Sequence, residues 1–237
     1  MPALSAPRDI GDHRLRGLTA VAVITCAVTL AGCSSSSDDA SAEQSESSTT
    51  ETSATETSAA APAGAECTPV SAPLTPIDAS TPGEPQLLIP QPPGWEPNTS
   101  LNNQIIRYAL ANTALTAASF TPNAVVTLEH VPGTDITPQQ VLEQQRTALE
   151  SQAGATDLEV ETTSTCGSAA EIVSYTLPAQ GAVAAHPAKV LLIAAPYAGD
   201  TWSATVTVQA INADDPTYQQ DASTILTGFQ MKPPAGA

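Results

Sequence analysis

Residues 34–66 constrain the folding of this chain more than any other segment. They contain no aromatic residue, no Leu, Ile or Val, and no Lys, Arg or His, and consist largely of Ser, Thr, Ala and acidic residues. Such a segment cannot bury enough apolar surface to offset the entropy lost on ordering, so we predict a disordered tether. The folded domain must then lie C-terminal to it, in residues 67–237.

The residues before the tether have the features of a secretory signal peptide. Arg8, Arg14 and Arg16 precede an uncharged apolar stretch, residues 17–32, which is too short to span a bilayer core of roughly 30 Å comfortably. The stretch ends in Leu-Ala-Gly before Cys33, which resembles the bacterial lipobox. We predict that residues 1–32 are removed and that Cys33 carries a diacylglyceryl group; the alternative is an ordinary signal peptide with a chance cysteine.

A lipidated Cys33 predicts the location of the protein. The mature chain would be anchored to the outer face of the cell membrane and would be extracytoplasmic. Residues 33–66 would then form a flexible, acidic tether with an r.m.s. span of roughly 30 Å, which leaves the domain mobile near the membrane. The density of Ser and Thr in this tether also fits O-glycosylation.

Processing changes the count of free cysteines from four to two. Cys26 leaves with the signal peptide and Cys33 is acylated, so Cys67 and Cys166 remain. Because the compartment outside the membrane permits disulfides, we predict that these two residues pair; the alternative is a reactive lone thiol. The bridge would close a loop of about 100 residues, for which the chain-entropy model gives roughly 4–5 kcal/mol of stabilisation.

The charge balance excludes nucleic acid as a partner. The formal net charge is −17, and only four of the seven Lys and Arg residues follow Cys33. Binding to a phosphate backbone requires clustered basic residues, which this chain lacks. The excess of acids favours solubility instead.

The periodicity of residues 67–237 mixes strands and helices. Residues 202–211 alternate apolar and polar side chains and indicate a strand, and the turn sequence before them predicts a hairpin. Five other segments, 104–112, 123–131, 157–164, 170–177 and 188–197, have strand character. Because the connections are short, we expect antiparallel pairing.

Two helices have clear start signals. Thr137 is a good N-cap that is followed by Pro138, and Gln140 completes a capping box. The second helix follows Asp214 or Asp215, starts at Pro216 and carries one apolar face. We therefore predict an α+β fold, an antiparallel sheet of about five to seven strands with two main packed helices, entered through an extended, proline-rich lead-in at residues 67–85.

Several segments together resemble the LpqN/LpqT family of actinobacterial, mainly mycobacterial, lipoproteins. They are IPQPPGWEP at 89–97, PNAVVTLEH at 122–130 before a Pro-Gln-Gln helix, ATDLEV at 155–160 and DDPTYQQDASTILTGFQ at 214–230. The resemblance covers roughly residues 67–237. It implies a PsbP-like α/β/α sandwich, a place in the cell envelope and a role in handling lipids or glycolipids beside envelope transporters, and it carries no catalytic motif.

The chain contains none of the common catalytic or cofactor motifs. After processing, the histidines are His130 and His186, which we expect to be structural rather than metal ligands. Asp214 and Asp215 suggest a helix cap more than a calcium site. We predict no catalytic residue, no metal and no cofactor.

The scarce cations suggest ion pairs inside an acidic domain. Arg107, Arg146 and Lys189 are expected to pair with nearby carboxylates, although an anionic headgroup is an alternative partner. Glu159 and Glu161 alternate on a strand and should face solvent rather than form an acid–base pair.

Three function classes remain for the domain. The first is a non-catalytic module that binds a lipid or glycolipid, or assists its transport, in an apolar groove between sheet and helices. The second is an adaptor that docks to a membrane transporter or a wall enzyme, and the least favoured is a hydrolase. An apolar cavity of several hundred Å³ favours the first class, whereas a flat exposed apolar patch favours the second.

Overall fold

The computed structural model describes residues 66–103, 105–133 and 135–235. The predicted signal peptide, the lipidation site Cys33 and nearly all of the predicted tether lie outside these residues. Within them, no helix has the length and apolar character needed to cross a membrane.

Ten strands and two α-helices make up the described chain. In chain order they are β1 (Leu74–Ile77), β2 (Gln86–Pro90), β3 (Glu96–Pro97), β4 (Ile106–Ala111), β5 (Asn123–Val131), α1 (Pro138–Ser151), β6 (Thr156–Thr165), β7 (Ser168–Leu177), β8 (His186–Tyr197), β9 (Asp200–Gln209), α2 (Pro216–Gly228) and β10 (Gln230–Lys232).

Seven strands form one antiparallel sheet in the order β3-β4-β5-β9-β8-β7-β6. The predicted hairpin before residue 202 is present, with Tyr197 opposite Asp200 at the turn between β8 and β9. Alternate residues of the two central strands point to opposite faces of the sheet, so Leu191 and Leu192 of β8 belong to different hydrophobic clusters. Both faces are therefore buried in the centre of the sheet.

Helix α1 covers one face of this sheet, above β7 and β8. Its start is the predicted capping box: the Thr137 hydroxyl accepts a hydrogen bond from the backbone N–H of Gln140, and the Gln140 side chain accepts one from the backbone N–H of Thr137. The buried residues of the helix, which form its inner stripe, are Val141, Leu142, Ala148 and Leu149.

The opposite face is covered by α2 together with a second, three-stranded sheet in the order β1-β2-β10. Their inward side chains enclose the larger hydrophobic cluster, in which Ile89, Trp95 and Met231 are fully buried. The indole N–H of Trp95 donates to Asp221 of α2 at 2.9 Å, so the one polar atom of this side chain has a partner. The result is the predicted α+β sandwich with helices on both faces of the large sheet.

The three-stranded sheet was not expected from the sequence. Strand β1 lies within residues 67–85, which we predicted to be an extended, proline-rich lead-in, and Ile77 of β1 lies opposite Leu87 of β2. Strand β10 joins the other side of β2, with Met231 opposite Leu87. A proline-rich strand and a three-residue strand have no periodicity of their own, and only long-range pairing defines them.

The lead-in before β1 is attached to the domain at two points. Cys67 is bonded to Cys166, which lies in the tight turn between β6 and β7. Val70 packs on Gly228 at the end of α2, where a Cβ atom would lie only 2.5 Å from a Val70 methyl group. The absence of a side chain at Gly228 is what allows this close approach.

Candidate functional site

An elongated groove of about 430 Å³ lies at the β1–β2 hairpin and is closed on one side by the C-terminal residues. Nine of its lining residues are apolar; they are Pro76, Ile77, Ala79, Pro82, Pro85, Leu87, Leu88, Pro234 and Ala235. Ile77, Leu87 and Pro85 form a buried floor, Leu88 is half-buried, and Pro76 and Pro82 form an exposed rim. We call this feature the β1–β2 groove.

The loop that forms one end of the groove turns at Pro82 and Gly83. Pro82 suits the second position of a turn and Gly83 has φ +88°, so the pair matches the requirements of a type II turn. The backbone N–H of Glu84 reaches back to the carbonyl of Thr81 at 3.5 Å, the long limit for a hydrogen bond. The turn directs the Glu84 side chain into the protein rather than into solvent.

A buried ion pair lies beneath this loop. One carboxylate oxygen of Glu84 is 2.8 Å from Nη2 of Arg107, and the two side chains are only 7% and 5% exposed. The same Arg107 nitrogen donates to the carbonyl of Asp78 at 2.9 Å. The Glu84 carboxylate also accepts from the backbone N–H of Ser80 at 2.8 Å and from the hydroxyl of Thr81 at 2.9 Å.

These contacts determine the protonation state of Glu84. Burial by itself would raise the pKa of its carboxyl group, because desolvation disfavours the charged form. The hydrogen bonds from Arg107, Ser80 and Thr81 outweigh burial, and the pKa of Glu84 lies below its ordinary value of 4.5. The pair therefore stays charged at neutral pH and joins the loop to β4.

The β1–β2 groove has the character of a binding surface for an apolar ligand. Its size and mostly apolar lining are typical of small-molecule sites, and its polar residues lie at the loop end. Glu84 already accepts hydrogen bonds from Ser80 and Thr81 and forms an ion pair with Arg107, so it is committed to holding the loop. The groove can bind by apolar contact.

A second groove, of about 480 Å³, runs along the outer side of α1. Most of its lining is polar, with Gln140, Glu143, Gln144 and Thr147 among the side chains, and only Ile136 and Ala148 are apolar. These side chains all come from one helix and the loop before it. This groove therefore resembles the solvated face of an amphipathic helix rather than a ligand site.

The two histidines occupy opposite ends of the large sheet. Nε2 of His130 lies 3.0 Å from Asp200, and its ring stacks 4.7 Å from that of Trp202. His186 is the first residue of β8, and its ring nitrogens contact the carbonyl of Ala184 at 2.8 Å and the side chain of Gln209 at 2.9 Å. Among the described residues, no group of three His, Cys, Asp or Glu side chains is arranged to hold a metal.

The exposed pair at His130 also affects its acidic partner. A hydrogen bond from the backbone N–H of Gly133, followed by the contact with His130, lowers the pKa of Asp200. Because the pair is largely exposed, we assign it a local role, closing the loop after β5 onto the β8–β9 hairpin.

The other polar residues singled out by the sequence have structural partners. Arg107 pairs with Glu84, and Arg146 of α1 pairs with Glu171 of β7. Asp215 caps α2 by accepting from the backbone N–H groups of Thr217 and Tyr218; these residues follow the cap in the first turn. Lys189 is exposed on β8.

Sequence reasoning did not identify Glu84 or the groove. The available signal was the Pro-Gly dipeptide at 82–83, which lies between the apolar segments 74–77 and 87–90 and is typical of a hairpin turn. Glu84 and Arg107 are far apart in the sequence, so their pairing depends on the fold.

The comparisons with known proteins agree with this architecture. The family model described as "Probable lipoprotein LpqN" matches residues 70–232, which is more than half of the chain. A crystal structure of LpqN, described as involved in cell envelope biogenesis of Mycobacterium tuberculosis, superposes with a TM-score of 0.56 at 18% identity, over 68% of this chain and 91% of that chain. This likeness supports the fold.

A weaker likeness is to the Ran-binding protein Mog1p of Saccharomyces cerevisiae, with a TM-score of 0.40 and 11% identity over 68% of this chain and 96% of that chain. It supports no functional inference. No protein with a curated description matches the chain. From the family match, together with the sandwich fold, the chain belongs to the LpqN lipoprotein family.

Proposed function

We propose that this protein is an extracytoplasmic, membrane-anchored lipoprotein whose domain binds the acyl part of an envelope lipid or glycolipid in the β1–β2 groove. The proposal divides the chain into a removed signal peptide at 1–32, a lipidated tether at 33–66 and a binding domain at 67–237. Its anchor is the diacylglyceryl group on Cys33. The domain needs no cofactor for this function.

The anchor makes a direct prediction. Replacing Cys33 with Ser should abolish incorporation of radiolabelled palmitate and shift the protein from the detergent phase to the aqueous phase in Triton X-114 partitioning. The physical reason is that one acyl chain binds membranes only marginally, so loss of all acyl chains should release the domain. A matched Cys26→Ser variant should behave as wild type, because Cys26 is removed. Unchanged labelling of Cys33→Ser would contradict the proposal.

The composition of the β1–β2 groove is the observation that carries the lipid-binding function. Nine apolar residues line it above a buried floor, and its volume of about 430 Å³ is within the usual range for ligand sites. The groove is also close to the predicted tether in sequence, because the tether ends at residue 66 and β1 begins at Leu74. A ligand held there would therefore remain near the membrane surface within reach of the tether.

Substitution of one half-buried residue, Leu88, tests lipid binding in the groove. Leu88→Asp places a charge against the apolar lining, so we expect binding of a fluorescent palmitate analogue to weaken about tenfold or more. Leu74→Asp is the matched control, because Leu74 lies on the same hairpin, is 38% exposed and does not line the groove. Affinity is measured by fluorescence titration of the purified mature protein.

Two outcomes would contradict lipid binding at this groove. The first is that the wild-type protein takes up neither the palmitate analogue nor an acylated trehalose. The second is that Leu88→Asp binds as tightly as Leu74→Asp. Thermal unfolding of both variants, compared with wild type, separates a loss of binding from a loss of folding.

The adaptor function is the second candidate, because a separate surface favours it. The outer edge of β6 is a long, exposed strand that pairs on one side only. A hydrolase finds less support, since the groove's only buried carboxylate, Glu84, is engaged by Arg107.

A further inference from the structure

Strand β6 is one of the two edges of the large sheet, and it is the long one. It has ten residues and pairs with β7 on one side only. The opposite edge, β3, has two residues and ends in Pro97, which cannot donate a backbone hydrogen bond. An approaching strand would therefore find far more unpaired backbone on β6 than on β3.

The outer edge of β6 is regular over most of its length. A bulge lies near its start, where Asp157 has φ +57°, and beyond it the pairs run without a break from Glu159 opposite Ser174 to Thr165 opposite Ser168. In the described part of the chain, no backbone hydrogen bond from a loop or turn reaches residues 157–165. The backbone N–H and C=O groups of residues 159–165 that point away from β7 therefore have the regular spacing that an additional strand requires.

The side chains of this edge alternate in chemistry. Glu159 and Glu161 lie opposite Ser174 and Ile172 on one face of the sheet, and Val160 lies between them on the other face. Val160 is 48% exposed, the highest exposure of any large apolar side chain among the described residues. An incoming strand would meet acidic groups on one face and an apolar contact on the other.

Acidic residues on an edge strand protect it from pairing with the wrong chain. The same charges select the right one, because opposite charges across a strand pair stabilise it and like charges destabilise it. We propose that the outer edge of β6 binds an extended, basic segment of another envelope protein by strand addition. This inference is independent of the lipid-binding groove, which lies at the other sheet.

Two other occupants are disfavoured by charge. A second copy of this chain would bring Glu159 and Glu161 against acidic residues of the same edge. Cys67, which follows the predicted tether, is held close to this edge, because the Cα atoms of Cys67 and Cys166 are 4.1 Å apart and Thr165 ends β6. Residues 34–66 contain acids and no Lys or Arg, so they too would be repelled.

Long-range charge favours the same partner. After Cys33 the chain carries four Lys and Arg residues against 22 acids, which are the 24 of the whole chain minus Asp9 and Asp12. The negative electrostatic potential of such a chain accelerates the encounter with a basic segment. Backbone hydrogen bonds to β6 then determine the orientation and register of the bound segment. Alternation of a basic residue with an aliphatic one is the pattern that would match Glu159, Val160 and Glu161.

The probe is a short peptide of alternating Lys and Val, titrated into the disulfide-bonded mature protein and followed by backbone amide NMR. A second peptide has the same sequence with N-methyl groups on the amides of one edge, which keeps its charge and prevents strand pairing. We expect saturable shifts concentrated in β6 and β7 with the first peptide, and binding at least tenfold weaker with the second.

The protein variants separate this edge from the general acidity of the surface. Glu159→Gln with Glu161→Gln should weaken binding about tenfold, whereas Glu143→Gln with Glu150→Gln, which removes two exposed acids of α1, should change it less than twofold. Equal binding of the two peptides, or equal loss in the two double variants, would overturn the proposal. So would a wild-type dimer formed through β6.

Discussion

Replacing both Cys67 and Cys166 with Ala should lower the free energy of unfolding by about 4 kcal/mol relative to wild type. The bridge links residues 99 positions apart, so it removes much of the conformational freedom of the unfolded chain. It also attaches the lead-in to the β6–β7 turn. Guanidinium unfolding followed by tryptophan fluorescence measures the difference, and wild-type protein with a reductant should give the same result.

The matched control is Val70→Ala, which weakens the other attachment of the lead-in and leaves the bridge closed. Val70 is half-buried against Gly228, so its truncation should cost about 1 kcal/mol. A decrease of less than about 1 kcal/mol in the free energy of unfolding of the double cysteine variant would contradict the expected effect of the bridge on the unfolded state. Attachment of the lead-in would then contribute little to stability.

Replacing Arg107 with Met should lower the free energy of unfolding by about 3–5 kcal/mol at neutral pH. The substitution leaves the Glu84 carboxylate buried without its cationic partner, and this carboxylate is only 7% exposed. Replacing both residues with Met should recover most of the loss, since no charge is then buried. Chemical unfolding at pH 7 of the two single variants and the double variant forms the required cycle.

The matched control for this pair is Arg146→Met. Arg146 also pairs with a glutamate, Glu171, but its side chain is 29% exposed, so its removal should cost no more than about 1 kcal/mol. Equal losses for Arg107→Met and Arg146→Met would show that burial of the Glu84 pair has no special energetic role.

The Glu84–Arg107 pair predicts that acidification has opposite effects on the stability of the wild-type protein and of Arg107→Met. In the wild-type protein the pKa of Glu84 is lowered in the folded state, so its contribution is present above the unfolded value and is lost as the pH falls below 4.5. Without Arg107, burial should raise the folded pKa of Glu84, so acidification should stabilise Arg107→Met relative to wild type. The stability difference between the two proteins should therefore narrow as the pH falls below neutral.

The pair links stability to the proposed binding site. Glu84 accepts hydrogen bonds from Ser80 and Thr81, and Arg107 donates to the carbonyl of Asp78, so one ion pair holds most of the loop that closes the groove. Weaker lipid uptake in Arg107→Met than in the double Met variant would reflect loss of this loop geometry. The charge of the pair itself would have no part in binding.

The sequence predicted most of the elements whose signals are local. The capping box at Thr137 and the strand over residues 123–131 agree with the structure to the residue, and of Asp214 and Asp215 it is Asp215 that caps α2. Caps and turns depend on contacts within a few residues, and strand alternation reflects burial on a single face. The pairing of Cys67 with Cys166 followed from counting the cysteines left after processing, and the structure contains this bond.

The second sheet and the groove depended on contacts between distant segments. Strand β10 pairs with β2 across more than half of the described chain, and three residues are too few to carry a periodic signal. Arg107 was expected to pair with a carboxylate, but only the fold brings Glu84 to it. The groove consists of residues from the start and the end of the domain, and no short segment contains its pattern.

By itself, the sequence determined the class of the fold and the family resemblance and predicted the division of the chain, because composition, capping and alternation act over short distances. The tertiary structure decided where function can lie. It pairs β1 with β2 to form an apolar groove, buries Glu84 against Arg107 beneath it and leaves the outer edge of β6 exposed. These features arise from residues far apart in the chain, and chain folding alone brings them together.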